Sequence, residues 1–102
     1  MLSIKQLLIA ARALIEKPEH WTQEVHARDS AGNKVSPNSS KAVCFCAHGA
    51  LVRVFNKTYG LEEEKATAYL KKQTGTAIWT FNDSHTHEEV LNVFDKAIAS
   101  AS

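Results

Sequence analysis

The 102-residue sequence has few cysteines, prolines and glycines, and it has no long hydrophobic run. Its two cysteines, Cys44 and Cys46, lie too close together to form the disulfide framework of a small secreted domain. Two prolines and four glycines are too few for a collagen-like or low-complexity chain. Arg12 and Glu16 interrupt the apolar N-terminal stretch before it reaches the length of a membrane span. The sequence therefore predicts a cytoplasmic location and no membrane partner.

No charge of one sign dominates. Lys and Arg number 12 against 11 Asp and Glu, and the formal net charge is +1. The basic residues are scattered, and Lys71-Lys72 is the one tight basic pair. Because nucleic-acid-binding proteins concentrate positive charge on one face to neutralise phosphates, we expect no direct binding to DNA or RNA.

The composition is that of an ordinary globular domain. Apolar residues make up 44% and charged residues 23% of the chain. A chain of this length buries about two-thirds of the surface that its unfolded form exposes, so a core can form without disulfide or metal support. No shift in composition divides the chain. We therefore predict a single domain over residues 1–102 and expect no cofactor.

Apolar residues recur at helical spacing in four stretches. Ser3 and Gln6 form a capping box ahead of a first helix that runs to about residue 16, and Pro18 ends it. A second helix is predicted over about residues 40–57, buried nearly all round.

The two later helices have clear boundary signals. The third helix has acidic residues at its start, from Glu62, basic residues at its end, to Lys72, and a stop at Gly75. Thr86 and Glu89 form a second capping box that begins the fourth helix.

Two other segments are predicted to be non-helical. Residues 21–35 favour a short β-hairpin around a cluster of turn-forming residues, and residues 76–81 favour an extended connector before a turn at 82–84. The predicted fold class is mainly α, a compact bundle of about four helices with a short β-hairpin or extended insertion between helices 1 and 2.

The segment from Cys44 to His48 contains residue types that bind metals or act as nucleophiles. On a regular helix Cys44 and Cys46 point about 200° apart, so only Cys44 and His48 could share an ion. A zinc site would also need His85 and His87. Alternatively, a position in the first turns of its helix would lower the pKa of Cys44 and favour a nucleophilic thiolate. Free cysteine is more often a small buried hydrophobe, so we predict no catalytic residue and no metal ligand.

Two connectors carry residues typical of a ligand pocket. The candidate ligand-binding residues are Trp21, Arg28, Trp79, Asn82, Asp83 and His85. Aromatic walls with a few converging amides and charges suit a nucleotide-sized ligand. In the alternative interpretation, which we favour, Trp21 and Trp79 fill the core while Asn82 and Asp83 hydrogen-bond their own turn.

Several short motifs occur in a fixed order along nearly the whole chain. They are A-A-R-A-L-I-E at 10–16, W-T-Q at 21–23, C-F-C-A at 44–47, G-A-L at 49–51, F-N-D at 81–83 and T-x-x-E-V-L-x-x-F-D-K-A-I at 86–98. The combination resembles a family of small bacterial and phage proteins of unknown function. Where that family often has tryptophan, this chain has Phe45 and Phe81.

The resemblance implies a stand-alone intracellular domain without an established activity or cofactor. Small phage-encoded proteins of this kind often bind a host protein or sequester a small molecule. We therefore expect a non-enzymatic accessory protein that acts through protein–protein contacts. Its partner is unidentified, and the options include a host protein and a second copy of the chain. The alternatives are a small-molecule, nucleotide-like binding or sequestering protein and a Cys44-dependent enzyme or zinc-binding protein.

Overall fold

Helices dominate the computed structural model, which describes residues 3–56 and 62–101. Within these residues the α-helices are α1 (Ile4–Leu14), α2 (Ala47–Phe55), α3 (Glu62–Thr74), α4 (Ile78–Ser84) and α5 (His87–Ser100). A 3-10 turn, Pro18–His20, follows α1, and the short strands β1 (Ala27–Arg28) and β2 (Cys44–Phe45) precede α2. The predicted class, mainly α with a small β insertion between the first two helices, is confirmed.

The predicted helix boundaries at α1, α3 and α5 are present. The Gln6 N–H donates to Ser3 Oγ at 3.1 Å, and the Ser3 N–H donates to Gln6 Oε1 at 2.9 Å. Thr86 and Glu89 make the equivalent pair of bonds at 3.2 and 2.9 Å. The bond from the Thr86 N–H stabilises the Glu89 carboxylate and so lowers its pKa. Gly75, with φ +74°, ends α3 in the left-handed conformation that glycine tolerates best.

The second helix begins later than the predicted 40–57, and the last residue of that prediction lies outside the described residues. Cys44 and Phe45 form β2, and α2 starts at Ala47 with Cys46 as its N-cap. The Gly49 N–H donates to Cys46 Sγ at 3.2 Å, so the thiol takes the part that a serine hydroxyl usually plays. The prediction was wrong here because an apolar run gives no sign of a strand when its pairing partner lies far away in the sequence.

The strand pairing between the first two helices extends beyond the predicted hairpin at 21–35. Arg28 and Lys34 form an isolated antiparallel bridge across the turn. The main pairing joins β1 to β2 in antiparallel register, with Ala27 opposite Phe45. The predicted turn between Arg28 and Lys34 is therefore present. The principal partner of β1 is β2, which lies just before α2.

Residues 78–84 form helix α4, so the predicted connector at 76–81 and turn at 82–84 are wrong. The Phe81 N–H donates to the Ala77 carbonyl at 3.1 Å, which closes the first turn. The β-branched and aromatic residues of this stretch favour strands. Burial decides otherwise, because Ile78 and Asn82, four residues apart on one face, are both completely buried.

The core lies around α1, which packs against α2, α3 and α5. The largest completely buried apolar side chains come from all five helices and the residue after α1: Leu7, Leu8, Ile15, Leu51, Leu70, Ile78, Val90 and Phe94. The radius of gyration, 12.4 Å, is close to the value of about 13 Å expected for a compact chain of this length. In residues 3–56 and 62–101 no helix has both the length and the apolar composition needed to cross a membrane.

Candidate functional site

Asn82 is the centre of a junction that joins three parts of the fold. Its side chain is completely buried. Oδ1 accepts hydrogen bonds from Trp21 Nε1 at 2.7 Å and from the Ala47 N–H at 3.0 Å. Nδ2 donates to the Thr22 carbonyl at 3.0 Å and to Asp83 Oδ1 at 3.2 Å. All the hydrogen-bonding capacity of this amide is therefore used within the protein.

Gln23 strengthens the same junction. Its Nε2 donates to the carbonyls of Asn82 at 3.0 Å and His85 at 3.1 Å, which are at the end of α4. Carbonyls at a helix C-terminus lack partners within the helix, so the glutamine amide satisfies groups that would otherwise need water. The W-T-Q and N-D motifs, distant in the sequence, are thus two halves of one hydrogen-bonded unit.

Glu24 follows this unit and has an unusual backbone conformation. Its φ is +73°, in the left-handed region that costs a residue with a Cβ about 1 kcal/mol or more. The Glu24 N–H donates to Asp83 Oδ1 at 2.8 Å, which holds the backbone in place. Strain of this kind persists where surrounding contacts enforce it and is often found at binding sites.

A cavity of about 340 Å³ opens beside Glu24. It lies between the segment 24–26, the beginning of α2 and the exposed side of α4. We call it the Trp79 cavity, and its lining residues are Glu24, Val25, His26, Cys46, His48, Trp79 and Asp83. Its volume is within the range of pockets that hold small ligands, about 300–1,000 Å³.

Three aromatic rings lie in succession along this cavity. The ring centroids of His26 and His48 are 4.9 Å apart, and those of His48 and Trp79 are 5.3 Å apart in an edge-to-face arrangement. Trp79 is 48% exposed, an unusual fraction for a residue of this size. The cavity therefore has an aromatic wall that solvent, and hence a ligand, can reach.

Gly49 allows α2 to approach the segment that carries His26. A Cβ at this position would overlap the His26 carbonyl oxygen. The same carbonyl accepts the Cys46 N–H at 3.2 Å, so the backbone of residue 26 is fixed against the beginning of α2. Close backbone approach therefore explains the glycine of the G-A-L motif.

The two cysteines differ in their settings. Burial raises the pKa of the Cys46 thiol because the thiolate would lose its hydration, and the Asp83 carboxylate raises it further. The Gly49 N–H, bonded to the sulfur, acts in the opposite direction. Cys44 lies on β2, where its thiol donates a long hydrogen bond of 3.9 Å to the Arg28 carbonyl. The expected position of Cys44 in the first turns of a helix is therefore wrong.

The histidines proposed as zinc ligands are held in separate places. His85 stacks on Phe81 with ring centroids 3.7 Å apart, and its Nδ1 donates to the Phe81 carbonyl at 3.0 Å. His87 Nε2 donates to the Ile15 carbonyl at 2.6 Å. Among residues 3–56 and 62–101, no group of three or more His, Cys, Asp or Glu side chains is placed to hold a metal ion. The predicted geometry for zinc, with Cys44 and His48 on one helix, is also absent because Cys44 precedes α2.

A family model described as a family of unknown function, DUF6197, matches residues 1–100. The chain belongs to this family. The expected resemblance to a family of unknown function is thereby confirmed, and it covers both the junction and the Trp79 cavity. Comparisons with curated proteins and with solved structures find no match to this chain.

In this DUF6197 chain, the six candidate ligand-binding residues are divided between two settings. Trp79 and Asp83 line the Trp79 cavity. Trp21 and Asn82 belong to the buried junction, while His85 stacks on Phe81. Their ligand-binding role stays a prediction.

Arg28, the sixth candidate, connects loops of the DUF6197 chain. Its guanidinium donates from Nε to Thr22 Oγ1 at 2.9 Å and from Nη1 to the Gly32 carbonyl at 3.0 Å. Nη2 donates to the Gln23 carbonyl at 3.4 Å. It is half-buried and is not among the residues that line the Trp79 cavity.

Sequence reasoning missed Glu24 and His26 as cavity residues. A signal for His26 is present in the sequence, since it lies between Trp21 and Arg28, two of the candidate ligand-binding residues. Glu24 carries no such signal, because a left-handed glutamate cannot be recognised from residue type.

The predicted hydrogen bonds of Asn82 were too local. Asn82 bonds to Trp21, Thr22 and Ala47 as well as to the neighbouring Asp83, and the long-range bonds could not be inferred from turn chemistry.

Proposed function

We propose that this protein is a non-enzymatic binding protein and that the Trp79 cavity holds a small organic ligand. The observation that carries the proposal is a cavity of about 340 Å³ with an accessible indole wall. Its walls are attached to the fully paired Asn82 junction, so they are preorganised before a ligand arrives. Preorganisation reduces the entropy lost on binding and is a general requirement for affinity.

The setting of Cys46 supports binding rather than thiol catalysis. Cys46 is 2% exposed, and its sulfur accepts the Gly49 N–H as an N-cap. Burial raises its pKa, so the thiol is protonated at neutral pH. A nucleophilic cysteine needs the opposite arrangement, with a lowered pKa and access for the substrate.

Protein-observed NMR with a fragment library of mixed charge tests the small-molecule proposal. We expect some fragments to shift the amide signals of residues 24–26, 46–49 and 79–83, and Trp79→Ala to remove those shifts. Ile9→Ala is a matched control because Ile9 is also about half exposed, at 46%, and does not line the cavity. A library that shifts none of these signals would reject the proposal.

A second candidate function is contact with a protein partner, supported by a groove between α1 and α3. The groove has a volume of about 540 Å³ and is lined by Ile4, Lys65, Ala68, Tyr69 and Lys72. Lys65 and Lys72 are seven residues apart, on one face of α3. Apolar surface bordered by two lysines fits a partner segment that combines an apolar anchor with acidic side chains.

Titration with a synthetic acidic amphipathic peptide tests the protein-contact proposal. We expect shifts in residues 65–72 that disappear in Lys65→Glu/Lys72→Glu. Lys71→Glu/Lys96→Glu is the control for charge alone, since both lysines are exposed and neither lines the groove. Equal weakening by both variants would contradict a role for the groove. A dimer in light scattering without peptide that Lys65→Glu/Lys72→Glu dissociates would instead assign the groove to a second copy of the chain.

A cytoplasmic location and a bacterial or phage origin complete the proposal. Both cysteines are free, which is the usual state in a reducing compartment. The origin is proposed from the resemblance alone.

A further inference from the structure

We propose that the ligand of the Trp79 cavity is a small organic cation, an amine or quaternary ammonium group. This inference rests on the proposed small-molecule function and specifies its chemistry. Three observations carry it: the charges of the lining residues, the aromatic wall, and the protein acceptors that already occupy N–H groups at the beginning of α2.

The acidic residues of the cavity are Glu24 and Asp83, and no lysine or arginine is among its lining residues in the described chain. Both carboxylates belong to exposed residues. The two hydrogen bonds that Asp83 accepts, from the Glu24 N–H and the Asn82 amide, both reach Oδ1. Neither bond uses Oδ2, so this oxygen of the exposed side chain can accept a bond from a ligand. Two carboxylates at one cavity favour a positive ligand.

The aromatic wall favours the same charge. The face of an aromatic ring attracts a cation within about 6 Å of its centroid, and tryptophan does so most strongly. Trp79 is 48% exposed and contacts His48 edge to face, and His48 in turn contacts His26. An ammonium group in a cavity of about 340 Å³ can therefore contact the indole and a carboxylate together.

The beginning of α2 offers little to an anion, although helix N-termini often bind phosphate. The Ala47 N–H donates to Asn82 Oδ1 at 3.0 Å, and the Gly49 N–H donates to Cys46 Sγ at 3.2 Å. Two of the first three N–H groups of the helix are thus occupied by protein acceptors. A nucleotide would meet two carboxylates, and two of the N–H groups that could hold its phosphates already have protein acceptors.

Three compounds of nearly equal shape but different charge test this inference. Choline carries a positive charge, 3,3-dimethylbutan-1-ol is neutral and 3,3-dimethylbutanoate is negative. We expect choline to bind about tenfold more tightly than the neutral alcohol, measured by calorimetry and by NMR shifts at the cavity. We expect no binding of the carboxylate.

Three variants assign the preference to named groups. Trp79→Leu keeps apolar area but removes the aromatic face, Asp83→Asn keeps the Oδ1 acceptor but removes the charge, and Glu24→Gln removes the other charge. Each should reduce the ratio of choline to alcohol affinity, while Ile9→Ala should leave it unchanged. Circular dichroism checks that each variant is folded.

The possible outcomes separate this inference from the proposed function. If the alcohol or the carboxylate binds as tightly as choline, or if only other neutral or anionic fragments bind, the cation preference is overturned while the cavity stays a ligand site. If no fragment of any charge perturbs the cavity, the small-molecule function itself fails. A lysine peptide that binds more tightly than choline and butylamine would support the cation chemistry and identify its source as a protein side chain.

Discussion

The two tryptophans of this chain lie in opposite settings. Trp21 donates its indole N–H to the buried Asn82 and packs against the core. Trp79, on the same helix as Asn82, is 48% exposed and forms a wall of the Trp79 cavity. The neighbours Asn82 and Asp83 differ in the same way, since one is completely buried and the other is exposed at the cavity. Helix α4 therefore has a structural side and a side that a ligand can reach, and residue type alone does not distinguish them.

Replacing Asn82 should give the largest difference in stability between variants on the two sides of α4. Asn82→Ala leaves Trp21 Nε1, the Ala47 N–H and the Thr22 carbonyl without partners. Each unsatisfied buried group costs about 1–3 kcal/mol, so we expect a loss of about 3–5 kcal/mol in the free energy of unfolding. Urea denaturation measures it. Asp83→Asn, the adjacent control, should cost less than about 1 kcal/mol, and equal losses would remove the distinction between the two sides.

Gly49 tests whether the cavity depends on close backbone packing. In Gly49→Ala the new Cβ would overlap the His26 carbonyl, and we expect a loss of about 3 kcal/mol in stability together with altered amide signals at 24–26. Gly32→Ala is the control, because Gly32 has φ +84° but nothing lies within 4 Å of the added atom. Its cost should be about 1 kcal/mol, from conformation alone. A Gly49 variant no less stable than this control would show that α2 can move away freely.

The two tryptophans can be compared directly by removing each indole N–H. Trp21→Phe leaves Asn82 Oδ1 without one of its donors and should cost about 1–2 kcal/mol. Trp79→Phe, at an exposed position, should change stability by less than about 0.5 kcal/mol. Thermal and urea unfolding of both variants check this order. The comparison fails if Trp79→Phe is the more destabilising of the two.

Replacing Glu24 should change stability and ligand affinity in opposite directions. Glu24→Gly removes the Cβ from a residue with φ +73° and should raise the free energy of unfolding by up to about 1 kcal/mol. The same change removes a carboxylate from the cavity, so choline affinity should fall. Glu24→Asn, which tolerates the left-handed conformation but lacks the charge, should also bind weakly. A destabilised glycine variant would show that the glutamate side chain supports the fold.

The smallest expected effect concerns Cys46 at high pH. Because burial raises its pKa above the usual 9.0, the folded protein holds the thiol proton more tightly than the unfolded chain does. This contribution to stability is fully present below pH 9.0 and is lost as the pH rises through the folded pKa. Under reducing conditions, wild type should lose more stability than Cys46→Ser between about pH 7.5 and about pH 10. Equal losses would indicate a solvated thiol.

The helices were easier to predict than the cavity, for a physical reason. The capping boxes at Ser3 and Thr86 and the stop at Gly75 act over three or four residues, so the local sequence contains all the interacting groups. Helix α4 was missed because its intrinsic preference is extended, and burial of Ile78 and Asn82 overrides it. The sequence names Trp79 and Asp83 as candidate ligand-binding residues, but the favoured interpretation, in which Trp79 fills the core, is wrong because Trp79 is 48% exposed. The separation of these two residues from Trp21 and Asn82 depends on contacts between distant segments.

By itself, the sequence determined the mainly helical class, the boundaries at which α1 and α5 begin, and the set of polar and aromatic residues from which a site is built. Periodicity and capping are local, so they can be read along the chain. The tertiary structure alone decided that Cys44 pairs with β1, that Asn82 is the centre of a junction, and that Trp79 stays exposed. These outcomes depend on which buried groups find partners across the fold, and a buried polar group must find one wherever in the sequence it lies.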